Sequence, residues 1–211
     1  MKAMKNKICE FLERSEIEAL YRACDKTTLR GLRDFVILAL MLNTGLRRHE
    51  VSTLTQNSLQ KQSGRVYLYV RTKGNKSKKI PIRNLKLLVL LGRYLSKTAD
   101  VRNPNSQLFW SVPQGKEKKT HPITDETIRR VVERARRRAR ISKRITPHSL
   151  RHTFLTQALR AGADIKTVQA LAGHSNISTT SRYLHTTDEL MEAAIENLKF
   201  WKNFEKFKIT T

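Results

Sequence analysis

The residues best placed for chemistry stand at the predicted ends of helices. Arg47 follows a glycine turn at Gly45 and opens a helix, where the helix dipole disfavours a cation unless an anion sits there. His148 and Arg151 lie three residues apart on one face of another helix start. Guanidinium and imidazole groups at such positions can bind an anion and exchange protons, so the pattern indicates chemistry on an anionic substrate.

Three further polar residues extend this set. Lys73 lies at the tip of a predicted hairpin, His174 follows Gly173 at a helix end, and Tyr183 comes nine residues after His174. Each has a simpler interpretation when taken alone, because turn lysines are usually solvated and a single tyrosine is more often a core or surface phenol than a nucleophile. Only the combination of these positions favours catalysis.

A metal site is a weaker interpretation of the histidines. His148 and His152 have the spacing of zinc ligands on a helix, but the residues between them lack the glutamate of that motif, and Arg151 would repel a cation. No carboxylate cluster of the two-metal type accompanies these residues in the sequence. We therefore predict no metal ion and no cofactor.

The charge of the chain points to nucleic acid. Its 211 residues carry a formal net charge of +24, which destabilises a compact protein by self-repulsion unless a polyanion shares the load. No carboxylate occurs from Val51 to Ala99, which holds eleven lysines and arginines, or from Arg134 to Ala163, which holds nine. These segments indicate surfaces held against phosphates, with a membrane surface a distant second. Because ribosomal and chromatin proteins share this composition, charge alone does not separate an enzyme from a DNA-binding protein.

The sequence has no signal for a membrane or an oxidising compartment. The longest apolar run, Phe35 to Leu42, has eight residues, whereas a membrane span needs about 18. No apolar region follows the N-terminal lysines, so no signal peptide is predicted. The only cysteines, Cys9 and Cys24, are expected to stay reduced. We predict a cytoplasmic protein that binds no membrane.

The element pattern predicts a mainly α fold with one small antiparallel β-sheet in a single domain. A capping box over 15–18 opens a short helix, and a helix over 29–43 ends at Gly45. Alternation over 65–70 and 79–82 predicts two strands joined by a turn, with Pro81 at a sheet edge. Further helices are predicted over 85–95, from Thr124 to about Arg140, from Pro147 to Ala161, from Asp164 to Gly173 and over 188–198.

Together these motifs resemble those of the tyrosine recombinase and phage integrase family, including its Xer-like members. The family's motifs appear in order as Thr-Gly-Leu-Arg, Lys-Gly-Asn-Lys, His-x-x-Arg-His and Gly-His-Ser, followed by a tyrosine, between about Phe11 and Leu198. The six usual active-site positions fall on Arg47, Lys73, His148, Arg151, His174 and Tyr183, and a family glutamate falls on Glu50.

The resemblance implies an enzyme that cleaves and rejoins DNA strands through a 3′-phosphotyrosine at Tyr183. Arg47 and Arg151 would each present paired N–H donors to the non-bridging oxygens of the phosphate, which a lysine does less well because it lacks the planar fork. His174 would donate a further hydrogen bond. A 5′-hydroxyl from another strand, rather than water, would then attack the phosphotyrosine and rejoin the DNA. This step would complete integration, excision or resolution without ATP.

Proton transfer in this scheme falls to two other residues. A tyrosine with a pKa of about 10 is protonated at neutral pH, so His148 is the candidate base for Tyr183. Lys73 is the expected acid for the leaving 5′-oxygen, and repulsion from neighbouring lysines would help to lower its pKa. Glu50 is expected to orient one of the arginines.

The resemblance also implies that the helix following Thr124 contacts DNA. In the family, a helix just before the His-x-x-Arg box enters the major groove, and here an apolar stripe from Ile128 to Ala139 opposes a broad basic face. Lys76 on the hairpin is expected to contact DNA as well. The basic face carries Arg129, Arg130, Arg134, Arg136, Arg137 and Arg138.

Three rival functions share parts of this evidence. A type IB topoisomerase uses the same covalent chemistry, but the His174 motif and the Xer-like layout favour the recombinase. A non-catalytic basic DNA-binding protein would have no reason to hold the complete set of six residues. A basic RNA-binding protein is disfavoured because the sequence has no aromatic stacking motif of the RNP type.

Family members usually have an N-terminal helical core-binding domain, whereas here the catalytic domain begins within the first dozen residues. The chain is then either a fragment or a naturally short member of the family. We expect one catalytic domain over 1–211 without the core-binding domain, bound to double-stranded DNA, monomeric in solution and tetrameric on paired sites. A tail over 187–211, with an amphipathic helix over 188–198, would dock on a neighbouring protomer or else pack back in cis.

Overall fold

The structure, a computed structural model, describes residues 11–71, 77–98, 103–113, 120–172 and Ile195. This part of the chain is mainly α-helical with one three-stranded antiparallel sheet, as the sequence predicts. Its elements are α1 (Arg14–Arg22), α2 (Leu29–Thr44), α3 (Arg48–Ser52), β1 (Leu59–Gln62), β2 (Arg65–Arg71), β3 (Ser77–Ile82), α4 (Leu85–Thr98), α5 (Asp125–Arg138), α6 (Pro147–Arg160) and α7 (Ile165–Ala172).

Helix α2 is the centre of the fold. Every residue from Gly31 to Thr44 is buried, because α1, α4, α5 and α6 all pack around it. The buried polar side chains of Asn43 and Thr44 form hydrogen bonds within the helix. They donate to the carbonyls of Ala39 and Leu40 respectively, each at 2.6 Å. Burial on all sides of this helix is a consequence of these neighbours.

The end of α2 fixes the position of the next functional residue. Gly45 stops the helix in the left-handed region, with φ of 64°, and its N–H donates to the carbonyl of Met41 at 2.9 Å. A Cβ at this position would lie 2.4 Å from Cδ1 of the buried Phe154 in α6. The turn thus needs glycine both for its backbone conformation and for the close approach of α6.

The sheet has the strand order β1-β2-β3. Leu68 and Val70 of β2 join Ile80 and Ile82 of β3 in the core, in agreement with the predicted alternation. Pro81 lies in the edge strand β3, where it removes no ladder donor that the sheet interior needs. Strand β1 was not predicted, because its sequence Leu-Gln-Lys-Gln is polar and largely exposed.

The helix caps are mostly those that the sequence predicts. Thr124 caps α5 by accepting from the N–H of Thr127 at 3.3 Å, and Thr146 caps α6 ahead of Pro147. The first helix is an exception, since it begins at Arg14, one residue before the predicted capping box. Glu16 accepts from the N–H of Glu13 at 2.8 Å, so Glu13 takes the cap position. None of the helices in the described ranges is long and apolar enough to cross a membrane.

Candidate active site

Arg47 begins α3, two residues after the Gly45 turn. Its backbone N–H donates to Oε2 of Glu50 at 2.6 Å, and its Nη1 lies 3.4 Å from Oε1 of the same carboxylate. Glu50 is buried, with 8% of its side chain exposed, whereas 44% of the Arg47 side chain is exposed. Glu50 therefore holds both the helix start and the guanidinium, and leaves part of that guanidinium open to a ligand. This is the geometry that a residue orienting Arg47 requires.

Arg151 contacts the Gly45 turn that precedes Arg47. It lies in the second turn of α6, is 4% exposed, and donates from Nη1 to the carbonyl of Gly45 at 2.6 Å. Burial lowers the pKa of Arg151, and the nearby Arg47 lowers that pKa further while Glu50 opposes it. An arginine stays charged despite such shifts. Residues 104 positions apart in the sequence are thus fixed on the two sides of one glycine turn, which is the core of the predicted arginine pair.

Contacts with α5 fix the position of α3 within the fold. The hydroxyl of Ser52 donates to Oδ1 of Asp125 at 2.7 Å, and Nε of Arg48 lies 3.4 Å from Oδ2 of the same residue. Asp125 also stands in the first turn of α5, where its charge is favoured by the helix dipole. The start of the arginine-rich helix is therefore tied to the element that carries Arg47 and Glu50.

A lysine that the sequence analysis did not single out as a site residue joins this cluster. Lys78 of β3 is partly buried, and its ammonium donates to the carbonyl of Leu171 in the last turn of α7. Its charged neighbours are Glu50, Arg151 and Arg47. The strand pattern held a signal for it, since Lys78 has the same parity as the buried Ile80 and Ile82 and so points to the inner face of the sheet.

The histidines of α6 have different surroundings. His148 is exposed in the first turn of the helix, three residues before Arg151 and open to solvent. His152 is partly buried, and its ring meets that of Phe11 edge-on, with centroids 6.2 Å apart. Within the described ranges, no group of three or more His, Cys, Asp or Glu side chains is arranged to hold a metal ion. Lys73, Lys76, His174 and Tyr183 lie outside the described residues.

Two of the six arginines expected to contact DNA are only partly exposed and bond to groups outside the basic face. Arg134 pairs with Asp34 of α2, with Nε 3.2 Å from Oδ2, and Asp34 is 6% exposed and also bonded to Arg33 at 2.8 Å. Arg136 donates to the carbonyl of Ile141 at 2.8 Å, and 21% of its side chain is exposed. These two side chains tie α5 to α2 and to its own C-terminal turn.

Two glutamates of α5 accept from arginines on the exposed face. Glu126 accepts from Nε and Nη2 of Arg129, both at 2.7 Å, and from Arg130 at 3.0 Å. Glu133 accepts from Arg137 at 2.7 Å as well as from Arg136. These hydrogen bonds lower the pKa of Glu126 and that of Glu133 to about 2.

The arginines on this face still outnumber the carboxylates. Arg129, Arg130, Arg137 and Arg138 are all exposed. They are therefore the members of the basic face that remain open to a phosphate backbone.

The chain is similar to known proteins in sequence and in fold. The family model described as "Phage integrase family" matches residues 10–189. The chain is 35% identical over 187 residues to tyrosine recombinase XerC of Staphylococcus saprophyticus, which covers 89% of this chain and 60% of the relative. The chain thus spans about three fifths of the length of that relative.

Solved structures give the same assignment of fold. The crystal structure of XerA recombinase matches with a TM-score of 0.63 and 28% identity, over 86% of this chain and 62% of that one. XerH recombinase in a post-cleavage complex with a palindromic difH substrate matches with a TM-score of 0.66 and 22% identity, over 96% and 56%. The match of the family model over most of the sequence and the XerC relative together show that this chain belongs to the phage integrase family of tyrosine recombinases.

Proposed function

We propose that the chain is the catalytic part of a site-specific DNA recombinase that cleaves and rejoins strands through a 3′-phosphotyrosine at Tyr183. The observation that carries this proposal is the arrangement of Arg47 and Arg151 on the two sides of the Gly45 turn, with Glu50 holding Arg47. Two fixed guanidinium groups in one cluster suit a phosphate, whose non-bridging oxygens accept paired N–H bonds. Membership of the family supports the tyrosine as nucleophile.

In the proposed cleavage step, the phenolic oxygen of Tyr183 forms a bond to phosphorus, and the bond from phosphorus to the 5′-oxygen breaks. The phosphorane carries one more negative charge than the diester, and Arg47, Arg151 and His174 stabilise it. His148, which is exposed beside Arg151, takes the phenol proton, and Lys73 gives a proton to the leaving 5′-oxygen. A 5′-hydroxyl of another strand reverses these transfers, so the bond energy is kept in the phosphotyrosine and no ATP or metal ion is needed.

Double-stranded DNA is the partner in this proposal. The net charge of +24 and the exposed arginines of α5 support a phosphate backbone as ligand. Of the expected contacts, Arg129, Arg130, Arg137 and Arg138 are the best supported because they are exposed, whereas Arg134 pairs with the buried Asp34 and Arg136 bonds to the carbonyl of Ile141. Lys76 remains a proposed contact from the hairpin.

Assembly as a tetramer on paired sites, from monomers in solution, is also part of the proposal. The C-terminal segment over 187–211 would carry the contact between protomers, with Tyr183 only a few residues before it. Ile195 is the one described residue of that segment, and it is helical and buried against the core. This burial is what the alternative of packing in cis expects, so truncation of the segment separates the two possibilities.

A covalent-trapping experiment tests the cleavage chemistry. The protein is incubated with nicked duplex fragments of the source replicon, in which cleavage releases a short strand and prevents rejoining, and adducts are resolved in SDS. We expect an adduct on a few fragments only, none with Tyr183→Phe, and at least about a hundredfold less with Arg151→Lys, because lysine lacks the planar fork of paired donors. Arg144→Lys changes an exposed arginine outside the cluster and is the matched control.

The outcomes distinguish the rival functions. An adduct that forms equally on all fragments, with relaxation of supercoiled plasmid, would indicate a topoisomerase. Binding without any adduct would indicate a non-catalytic DNA-binding protein, and an adduct in Tyr183→Phe would place the nucleophile elsewhere. Relatives named as tyrosine recombinases favour the site-limited result.

A further inference from the structure

Lys78 is held inside the arginine cluster by the sheet and by α7. In the sheet register it stands opposite Val70, and it shares the inner face of β3 with Ile80 and Ile82. A lysine on such a face would ordinarily be costly, because its ammonium leaves water. Here that ammonium donates to the carbonyl of Leu171, in the negative C-terminal turn of α7, so the fold fixes its place.

The groups that face Lys78 come from each element packed around it. They are Glu50 and Arg47 at the start of α3, Arg151 on α6 and the Leu171 carbonyl on α7. Burial is the main cause that lowers the pKa of Lys78 to about 8, Glu50 acts against it, and Arg151 and Arg47 add to the lowering. A lysine in this range exchanges its proton near neutral pH.

The charge of the cluster changes with this proton. Arg47 and Arg151 with Glu50 leave one net positive charge, and a protonated Lys78 raises that to two. A phosphodiester carries one negative charge and the phosphorane two, so a protonated Lys78 adds to the positive charge that stabilises both. The negative diester also opposes the repulsion from the two arginines, and so favours the ammonium form of Lys78.

We infer that Lys78 supplies a third positive charge to the cluster of Arg47 and Arg151, and that, where it is deprotonated in the free protein, it takes up a proton from solvent when a phosphodiester of DNA enters. The inference rests on the proposed function, since it needs DNA phosphate at this cluster. The affinity that depends on this charge is present below pH 8 and falls as the pH rises, because the free protein then has to gain a proton to bind. With a pKa of about 8 in the free protein, affinity falls about tenfold between pH 7 and pH 9.

The test measures DNA affinity against pH for matched variants. Binding of a labelled 20-base-pair duplex of mixed sequence is followed by fluorescence anisotropy from pH 6.5 to pH 9.5 at constant ionic strength. We expect the parent protein to lose about tenfold in affinity from pH 7 to pH 9, while Lys78→Arg stays nearly flat because arginine keeps its charge. Lys78→Met should also be flat, at the weaker affinity that the parent shows at high pH.

The matched control is Lys79→Met. Lys79 is the next residue of β3, with its ammonium 4.1 Å from the ring centroid of Tyr67 on the outer face of the sheet. Its loss should lower affinity at every pH and leave the slope of the parent unchanged. A Lys78→Arg profile that coincides with the parent profile, or a flat parent profile, overturns the inference.

The cleavage assay keeps this result separate from the proposed function. If the parent forms its covalent adduct while all four proteins show the same dependence of DNA affinity on pH, the proposed recombinase function is supported and the proposed role of Lys78 is contradicted. If the pH dependence of DNA affinity requires Lys78 and no adduct forms on any fragment, the role of Lys78 in binding DNA phosphate is supported and the proposed recombinase function is contradicted.

Discussion

Replacing Gly45 with alanine should damage both the fold and the arginine cluster. A left-handed φ of 64° costs alanine about 1–2 kcal/mol. The new Cβ would lie 2.4 Å from Cδ1 of Phe154, which is fully buried, and moving a packed ring costs about 1–3 kcal/mol. Reduced freedom of the unfolded chain returns about 0.4–1 kcal/mol. We therefore expect the free energy of unfolding to fall by about 1–5 kcal/mol, with a central value of about 3 kcal/mol, a large part of what a domain has.

Gly64 provides a matched control for the backbone term. It has φ of 78° in the turn between β1 and β2, and a Cβ there would meet nothing within 4 Å. Gly64→Ala should therefore cost only about 1 kcal/mol, since the strain remains and the collision is absent. Urea unfolding followed by circular dichroism measures both variants under the same conditions. If Gly45→Ala were no more destabilising than Gly64→Ala, the close approach of α6 to this turn would be refuted.

A double-mutant cycle isolates the collision itself. Phe154→Leu removes the ring atoms nearest the new Cβ, so it should recover about 1–2 kcal/mol in the Gly45→Ala background relative to the sum of the single changes. Costs that add within about 0.5 kcal/mol would show that the two residues do not meet. Because the Gly45 carbonyl accepts from Arg151 at 2.6 Å, the folded Gly45→Ala protein should also cleave nicked DNA about tenfold or more slowly.

Three further predictions test the proposed roles. Lys73→Ala should lose cleavage of ordinary DNA and recover it on a 5′-phosphorothiolate substrate, whose sulfur leaves without a proton; equal impairment on both would count against Lys73 as the acid. The double variant Arg130→Gln, Arg137→Gln should lower the salt slope of DNA binding by about 0.9 per lost phosphate contact. Arg136→Gln should instead lower the unfolding temperature and leave the salt slope unchanged. An unchanged salt slope in the double variant would indicate that this face contacts solvent rather than DNA. Deleting 189–211 should leave a folded protein that binds single half-sites and does not assemble on paired sites, and a truncated chain that unfolds would place this segment in its own core.

Local features of the fold were predictable because their causes lie within a few residues. Thr124 and Thr146 cap helices through N–H groups three residues ahead, and Gly45 ends α2 through a bond to a carbonyl four residues behind. The apolar alternation of β2 likewise predicted a strand, and its Leu68 and Val70 are buried, whereas in β3 Pro81 is buried together with Ile80 and Ile82. Strand β1 has no buried face to leave a pattern, and only its pairing with β2 makes it a strand.

The site depends on contacts between distant parts of the chain, which the sequence does not display. The motifs named Arg47 and Arg151, but their meeting at the Gly45 turn is a result of α6 packing on α2. Lys78 was passed over for a related reason. Beside Lys79 it resembles a solvated turn lysine, and only the sheet register sends the two side chains to opposite faces.

The basic face of α5 shows why a count of charges differs from a count of free charges. Arg134 lies 100 residues from Asp34 in the sequence, so the sequence does not show that the two residues form an ion pair. The same helix uses Glu126 and Glu133 to hold other arginines, so its own carboxylates screen part of the face before any DNA arrives. In the proposed function, DNA would have to compete with these pairs, because an arginine that binds a phosphate loses its hydrogen bonds to the glutamate. The exposed pairs contribute little in water because solvent screens them, so a phosphate backbone could displace them, whereas the buried Asp34 would keep Arg134. Burial of the carboxylate, rather than the number of arginines, would therefore decide which of them contact DNA in the proposed function.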